Sequence, residues 1–145
     1  MSVIKKSSMF AAVFLGLFVS SARAQGVMTV TVPFPFVADH REFPAGRYEI
    51  RNVENAGTVL SIEGMNHRSG AFVFTMAAGG GDPAGNEPSL VFTHEENQYQ
   101  LSEIWESPTV GHELTAFSHS HKIARLDAQP EPSQALAYVV RASWQ

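Results

Sequence analysis

The 145-residue chain contains no cysteine. That removes disulfides, thiolate metal sites, a thiol nucleophile and the lipid-bearing cysteine of a bacterial lipoprotein. Charged residues are scarce, at 17%, and the 10 Lys and Arg are outnumbered by 14 Asp and Glu. An acidic surface repels phosphate, so nucleic acid is not an expected partner. Long apolar runs are also missing. The longest, Met9 to Val19, would rise about 1.5 Å per residue as a helix and cover half of a roughly 30 Å hydrocarbon core. No Gly-x-Ser-x-Gly elbow, P-loop, EF-hand loop or Asn-x-Ser/Thr occurs, and no repeat of fixed period is visible.

The short apolar run follows Lys5 and Lys6 and precedes Ala22-Arg23-Ala24, which is the layout of a signal peptide with small residues at the cleavage site. Residues 1–24 are therefore read as a signal peptide removed after Ala24. Residues 25–145 then form a single β domain. The mature chain keeps seven basic and fourteen acidic residues, a formal charge of −7. The expected destination is outside the cytoplasm, periplasmic or secreted. At this length one core can form without metal or disulfide staples.

Period two dominates the mature chain. Met28, Val30, Val32, Phe34 and Phe36 alternate with Thr29, Thr31, Pro33 and Pro35, the pattern of a strand with one buried side. The two prolines remove donors from one side, so that half is an edge or an exit. Phe43-Pro44-Ala45-Gly46 reads as a turn into a strand with Tyr48 and Ile50 inward and Arg47, Glu49 and Arg51 solvated. Asn55-Ala56-Gly57 turns into a second strand carrying Leu60 and Ile62, completing a hairpin. Ala71 to Met76 is apolar on both parities and reads as a central strand. The Gly- and Pro-rich stretch 77–88 reads as a mobile loop. Strands follow over 89–94 and 98–105 around a tight turn at Glu95-Glu96-Asn97. Glu103 shares a parity with Tyr99, Leu101 and Trp105, which calls for a bulge that rotates it outward or for a donor that satisfies a half-buried acid. A short helix is predicted from Ser118 to Ala128, ended by Pro130 and Pro132, and a last strand over 135–142. The fold class is all-β: a small antiparallel β-sandwich or partly closed barrel of about seven strands, with one short helix near the C-terminus.

No reactive constellation emerges. Gly79-Gly80-Gly81-Asp82-Pro83-Ala84 matches a relaxed dinucleotide pattern, but Pro83 interrupts it and no helix follows. His112-Glu113 and His94-Glu95 each lack the second histidine of a zinc-protease helix, having Ala116 and Gln98 there. The weak metal candidates are His112, His119 and His121. On a strand, His119 and His121 share a side and could chelate a transition metal with His112; on a helix they diverge by about 200°. No catalytic residue and no cofactor is expected.

Val32-Pro33-Phe34-Pro35-Phe36-Val37, Phe43-Pro44-Ala45-Gly46-Arg47-Tyr48, Ser69 to Thr75, Leu90-Val91-Phe92 and Leu101-Ser102-Glu103-Ile104-Trp105 resemble the motifs of a group of small exported β-rich proteins abundant in soil bacteria of the Acidobacteria type. The resemblance covers most of the mature chain. It implies export and a β fold, and it brings no activity, ligand or site residue with it. The segment from Gly111 to His121 departs from that group, with histidines where a basic helix stands. The functional expectation is a non-enzymatic exported module that binds or scaffolds an envelope or secreted partner. It would act through a strand edge, an aromatic face or the Gly-rich loop. The alternative is a histidine-dependent transition-metal binder.

Overall fold

A computed structural model describes residues 26–54, 57–116 and 136–145. The signal-peptide segment, the predicted helix at 118–128, and His119 and His121 lie outside the described residues. Ten strands are present: β1 (Met28–Val32), β2 (Phe36–Ala38), β3 (Arg41–Phe43), β4 (Gly46–Asn52), β5 (Val59–Gly64), β6 (Gly70–Ala77), β7 (Ser89–Glu95), β8 (Gln98–Ser107), β9 (Val110–Leu114) and β10 (Leu136–Trp144). Eight of them close into an antiparallel barrel in the order β8, β7, β10, β1, β4, β5, β6, β9, with β9 returning to β8. The barrel form of the sequence reading is the one adopted, with ten strands in place of about seven.

The two prolines act as the exit that the pattern required. β1 stops at Val32, Pro33 to Pro35 leave the ladder, and β2 restarts at Phe36. β2 pairs in parallel with Tyr99 and Gln100 of β8, while β9 takes the same strand from Glu103 to Ser107. The β2–β3 hairpin thus occupies the wall above β9, at the end where Val32 pairs with Gly46. We call this the upper end. Its turn is formed by Asp39 and His40, both with positive φ, as is the β7–β8 turn at Glu96 and Asn97. Two successive positive φ values give the turn twist that matches two antiparallel strands.

The interior is filled by Met28, Val30, Val32, Tyr48, Ile50, Leu60, Ile62, Val73, Leu90, Phe92, Leu101, Ile104 and Leu114, with Phe36 and Phe43 of the hairpin. Eight strands enclose a space that side chains can fill, and here they do. Phe36 and Phe43 stack at 5.0 Å and meet Tyr48 edge-on at 5.3 and 5.8 Å. The Tyr48 hydroxyl donates to the Pro44 carbonyl, satisfying its one polar atom. Burial pushes its pKa up to about 12.

The β7–β8 ladder shifts register between Val91 and Phe92, leaving Ser102 as the extra residue opposite. The bulge turns Leu101 and Ile104 into the core and sends Glu103 and Trp105 to the outer side. Glu103 also has its donor: Trp105 Nε1 donates to Glu103 Oε2 at 2.7 Å. Both readings of this acid therefore hold. Trp105 is only 1% exposed, its ring lying flat on Gly111, whose added Cβ would come within 2.5 Å of it.

Candidate functional site

Both barrel ends are closed by side chains. At the upper end Phe34 stacks on Tyr99 at 3.9 Å and meets Phe92 and Tyr138 edge-on. His94 lies against Tyr99 and Tyr138 at 4.4 and 6.0 Å. Burial first, and the Tyr138 hydroxyl second, raise the Tyr99 pKa. On the neighbouring part of this end His67 folds in from the β5–β6 connection. Its ring sits between Gly46 and Gly64, 5.0 Å from Tyr48, with both ring nitrogens buried and unbonded. The rings pack on each other and on the core, so this end is a cap.

At the lower end, Thr75 Oγ1 donates to Gly57 O at 2.7 Å, and the His112 ring covers Gly57, which has φ +68°. His112 Nε2 lies 3.2 Å from Glu106 Oε1, at an angle that does not make a hydrogen bond. His112 is thus a packing residue of the barrel floor. Among the described residues, no three His, Asp or Glu side chains stand close enough to hold a metal ion. The 77–88 loop is tied down at Asp82. Its backbone N–H donates to Pro108 O, and its Oδ1 accepts from Ala84 N and Ser89 Oγ at 2.8 and 2.6 Å.

What the ends do not offer, the outer wall does. β6 was read as a central strand, and it lies between β5, paired over Gly70–Phe74, and β9, paired over Thr75–Ala77. Only its Val73 and Thr75 side is buried, however. Phe72, Phe74 and Met76 point outward and are 63%, 60% and 46% exposed. Single exposed apolar residues are ordinary, but three large ones in one line form a patch of the kind that marks an interaction surface. Phe74 lies opposite Val59 of β5, and Thr115 Oγ1 donates to its carbonyl.

An acidic strip adjoins this stripe. Met76 is opposite Glu113 of β9, Glu113 opposite Glu103 of β8, Glu103 opposite Val91 of β7, and Val91 opposite Val139 of β10. The row therefore runs apolar, acid, acid, apolar, apolar across five strands. Two carboxylates directly opposite each other on neighbouring strands are mutually destabilising. Glu103 is relieved only by the Trp105 N–H, and among the described residues no Lys, Arg or His pairs with either acid. Arg51, across β5 from Phe72, is engaged by Glu49 at 2.6 Å.

This surface contains Glu103, which broke parity in the sequence, and Glu113 of the His112-Glu113 pair, and among the described residues neither forms an ion pair with a histidine. The stripe itself was missed. Alternation of aromatic residues with Val73 and Thr75 reads the same whether the second side is covered by a layer or left bare. No family model matches the chain, and neither a curated protein nor a solved structure matches it. No helix among the described residues is long and apolar enough to cross a membrane.

Proposed function

We infer that the protein is an exported, non-enzymatic binding module that engages another envelope or secreted component through the outer wall at β6. The observation that carries this reading is the exposed line Phe72, Phe74, Met76 on a strand whose other side already completes the core. A side chain needed for folding would be covered. These three are not, so their apolar surface has no role inside the monomer.

The test is site-specific photo-crosslinking in the exporting cell, with the crosslinker at position 72 or 74 and a control at exposed Thr31 of β1. A discrete adduct from 72 and 74, absent from 31, is expected in the envelope or secreted fraction. Free monomer from all three positions would sink the reading. Fractionation of the same cells tests the signal peptide directly: mature protein should begin at Gln25 and be absent from the cytoplasm.

A further inference from the structure

The geometry points to a basic, apolar polypeptide segment as the occupant of this wall, and this rests on the binding-module reading above. Its aromatic or aliphatic side chains would cover Phe72, Phe74 and Met76, and a Lys or Arg would sit between Glu103 and Glu113. A second apolar contact would fall on Val139.

Three features of the wall select this chemistry. The first is the order of the row, in which the acids are framed by exposed Met76 on one side and, beyond buried Val91, by exposed Val139 on the other. A partner matching that row must place a cation between apolar groups, so it is an amphipathic segment and not a uniformly charged one. The second is the unrelieved pair. A cation entering between two opposed carboxylates removes their repulsion and makes charge-assisted hydrogen bonds to both. Neighbouring strands lie about 4.8 Å apart, so one ammonium or guanidinium can reach both acids. The third is closure of the barrel. Around the acids the ladder is closed, with β9 paired to β6 over Thr75–Ala77 and to β8 over Glu103–Ser107, so a partner there cannot be recruited by adding a strand and must be held by side chains. A second copy of this chain would bring carboxylates against carboxylates along the same row, and an anionic lipid surface would be repelled by them.

The experiment uses a fluorescein-labelled synthetic peptide of fourteen residues alternating Lys with Phe and Leu, and a counterpart with Glu at every Lys position. Fluorescence anisotropy reads binding to the exported protein. The Lys peptide should bind and the Glu peptide should not. Phe72→Thr with Phe74→Thr should weaken binding at least tenfold. Glu103→Gln with Glu113→Gln should weaken it several-fold and remove most of its dependence on salt between 50 and 300 mM. In unaltered protein, bound peptide should slow peroxide oxidation of Met76 and leave that of Met65, exposed elsewhere, unchanged, a readout that needs no variant to fold. Equal affinity for the two peptides, or no protection of Met76, overturns the proposal. Self-association in sedimentation, or uptake by phosphatidylcholine or phosphatidylglycerol vesicles, that is abolished by the double Phe variant overturns the basic segment as occupant while leaving the wall as a binding surface. Absence of every one of these associations, together with no crosslink from positions 72 and 74, removes the binding-module reading itself.

Discussion

Replacing Gly64 by alanine tests how the upper end is closed. An added Cβ there would stand 2.2 and 2.3 Å from Cε1 and Nδ1 of the His67 ring, and the opposite side of the ring is blocked because a Cβ on Gly46 would lie 2.7 Å from Nε2. The ring cannot slide between the two glycines, so Gly64→Ala must expel it or distort the wall. Overpacking of this kind costs about 1–3 kcal/mol. In a His67→Ala background the slot is empty, and the same substitution should gain about 0.5–1 kcal/mol, because a glycine inside a strand loses more backbone entropy than alanine. The sign of the effect therefore reverses between backgrounds, giving a coupling of about 1.5–4 kcal/mol in a double-mutant cycle. His67→Ala alone should be mild, because loss of ring packing is offset by release of two buried, unbonded nitrogens. Urea denaturation followed by tryptophan fluorescence measures all four corners. If Gly64→Ala costs the same in both backgrounds to within about 0.5 kcal/mol, the ring does not occupy the slot and the account of this cap is wrong.

Alkaline unfolding should report Tyr48. Its pKa is raised from 10.0 to about 12 in the folded chain, so the proton is held more tightly folded than unfolded. The stability this provides is complete below pH 10 and is lost as pH climbs through 12, by on the order of 2–3 kcal/mol. Tyr48→Phe should flatten that decline, and should remove a late-titrating group, which appears with unfolding, from the tyrosinate absorbance at 295 nm. Gly111→Ala should cost about 1–3 kcal/mol and shift Trp105 emission to the red, since the Trp105 ring lies on Gly111; unchanged emission would refute the contact. Asp82→Ala removes two acceptor interactions of the 77–88 loop and should speed hydrogen exchange at the Ala84 amide at a cost of about 1–3 kcal/mol; exchange as slow as in the parent would show the loop is held by other means. Phe72→Thr with Phe74→Thr should leave the melting midpoint nearly unchanged, within about 0.5 kcal/mol, since both rings are mostly in solvent; a large loss would mean that they serve the fold.

Much of the wall was legible because alternation and turn chemistry are local. Met28 to Val32, the hairpin of β4 and β5, and the Glu96-Asn97 turn fall where the pattern puts them. Glu103 announced the bulge by breaking parity. The β2–β3 hairpin was not read, because its strands have three residues each and its turn, Asp39-His40, has no glycine to mark the positive φ values. β9 was missed for a related reason: Gly111 and His112 interrupt the apolar alternation, and what makes the segment a strand is its pairing with β6 and β8. Closure of the barrel depends on those same non-local ladders. The candidate surface was half legible. Glu103 stood out by its parity and Glu113 by its place beside His112, but their juxtaposition follows from the β8–β9 register, and the bareness of Phe72 and Phe74 follows from the absence of a second layer over β6 among the described residues.

The arrangement of apolar groups separates what folding requires from what it leaves over. On β4, the side opposite Tyr48 and Ile50 carries Arg47, Glu49 and Arg51, the charged exterior that keeps a closed barrel from sticking to other chains. β6 belongs to the same wall and meets the same folding demand through Val73 and Thr75, yet its outer positions hold two phenylalanines and a methionine. β-propensity alone does not account for this, since threonine or tyrosine would serve the strand equally well at less risk of aggregation. Nor does strand pairing account for the stripe, since β5 and β9 pair with the backbone of β6 and leave its outer side chains uncovered. What distinguishes β6 from β4 is how the charge beside it is met: the outer row of β4 also holds two opposed carboxylates, Glu49 and Glu63, but Arg51 engages Glu49 at 2.6 Å, whereas the pair that continues the outer row of β6 has no such cation among the described residues. An apolar line beside an unrelieved negative pair is incomplete both in coverage and in charge. A single amphipathic, basic segment would complete both, whereas a purely apolar partner would leave the carboxylates facing each other under a drier cover, where their repulsion is stronger.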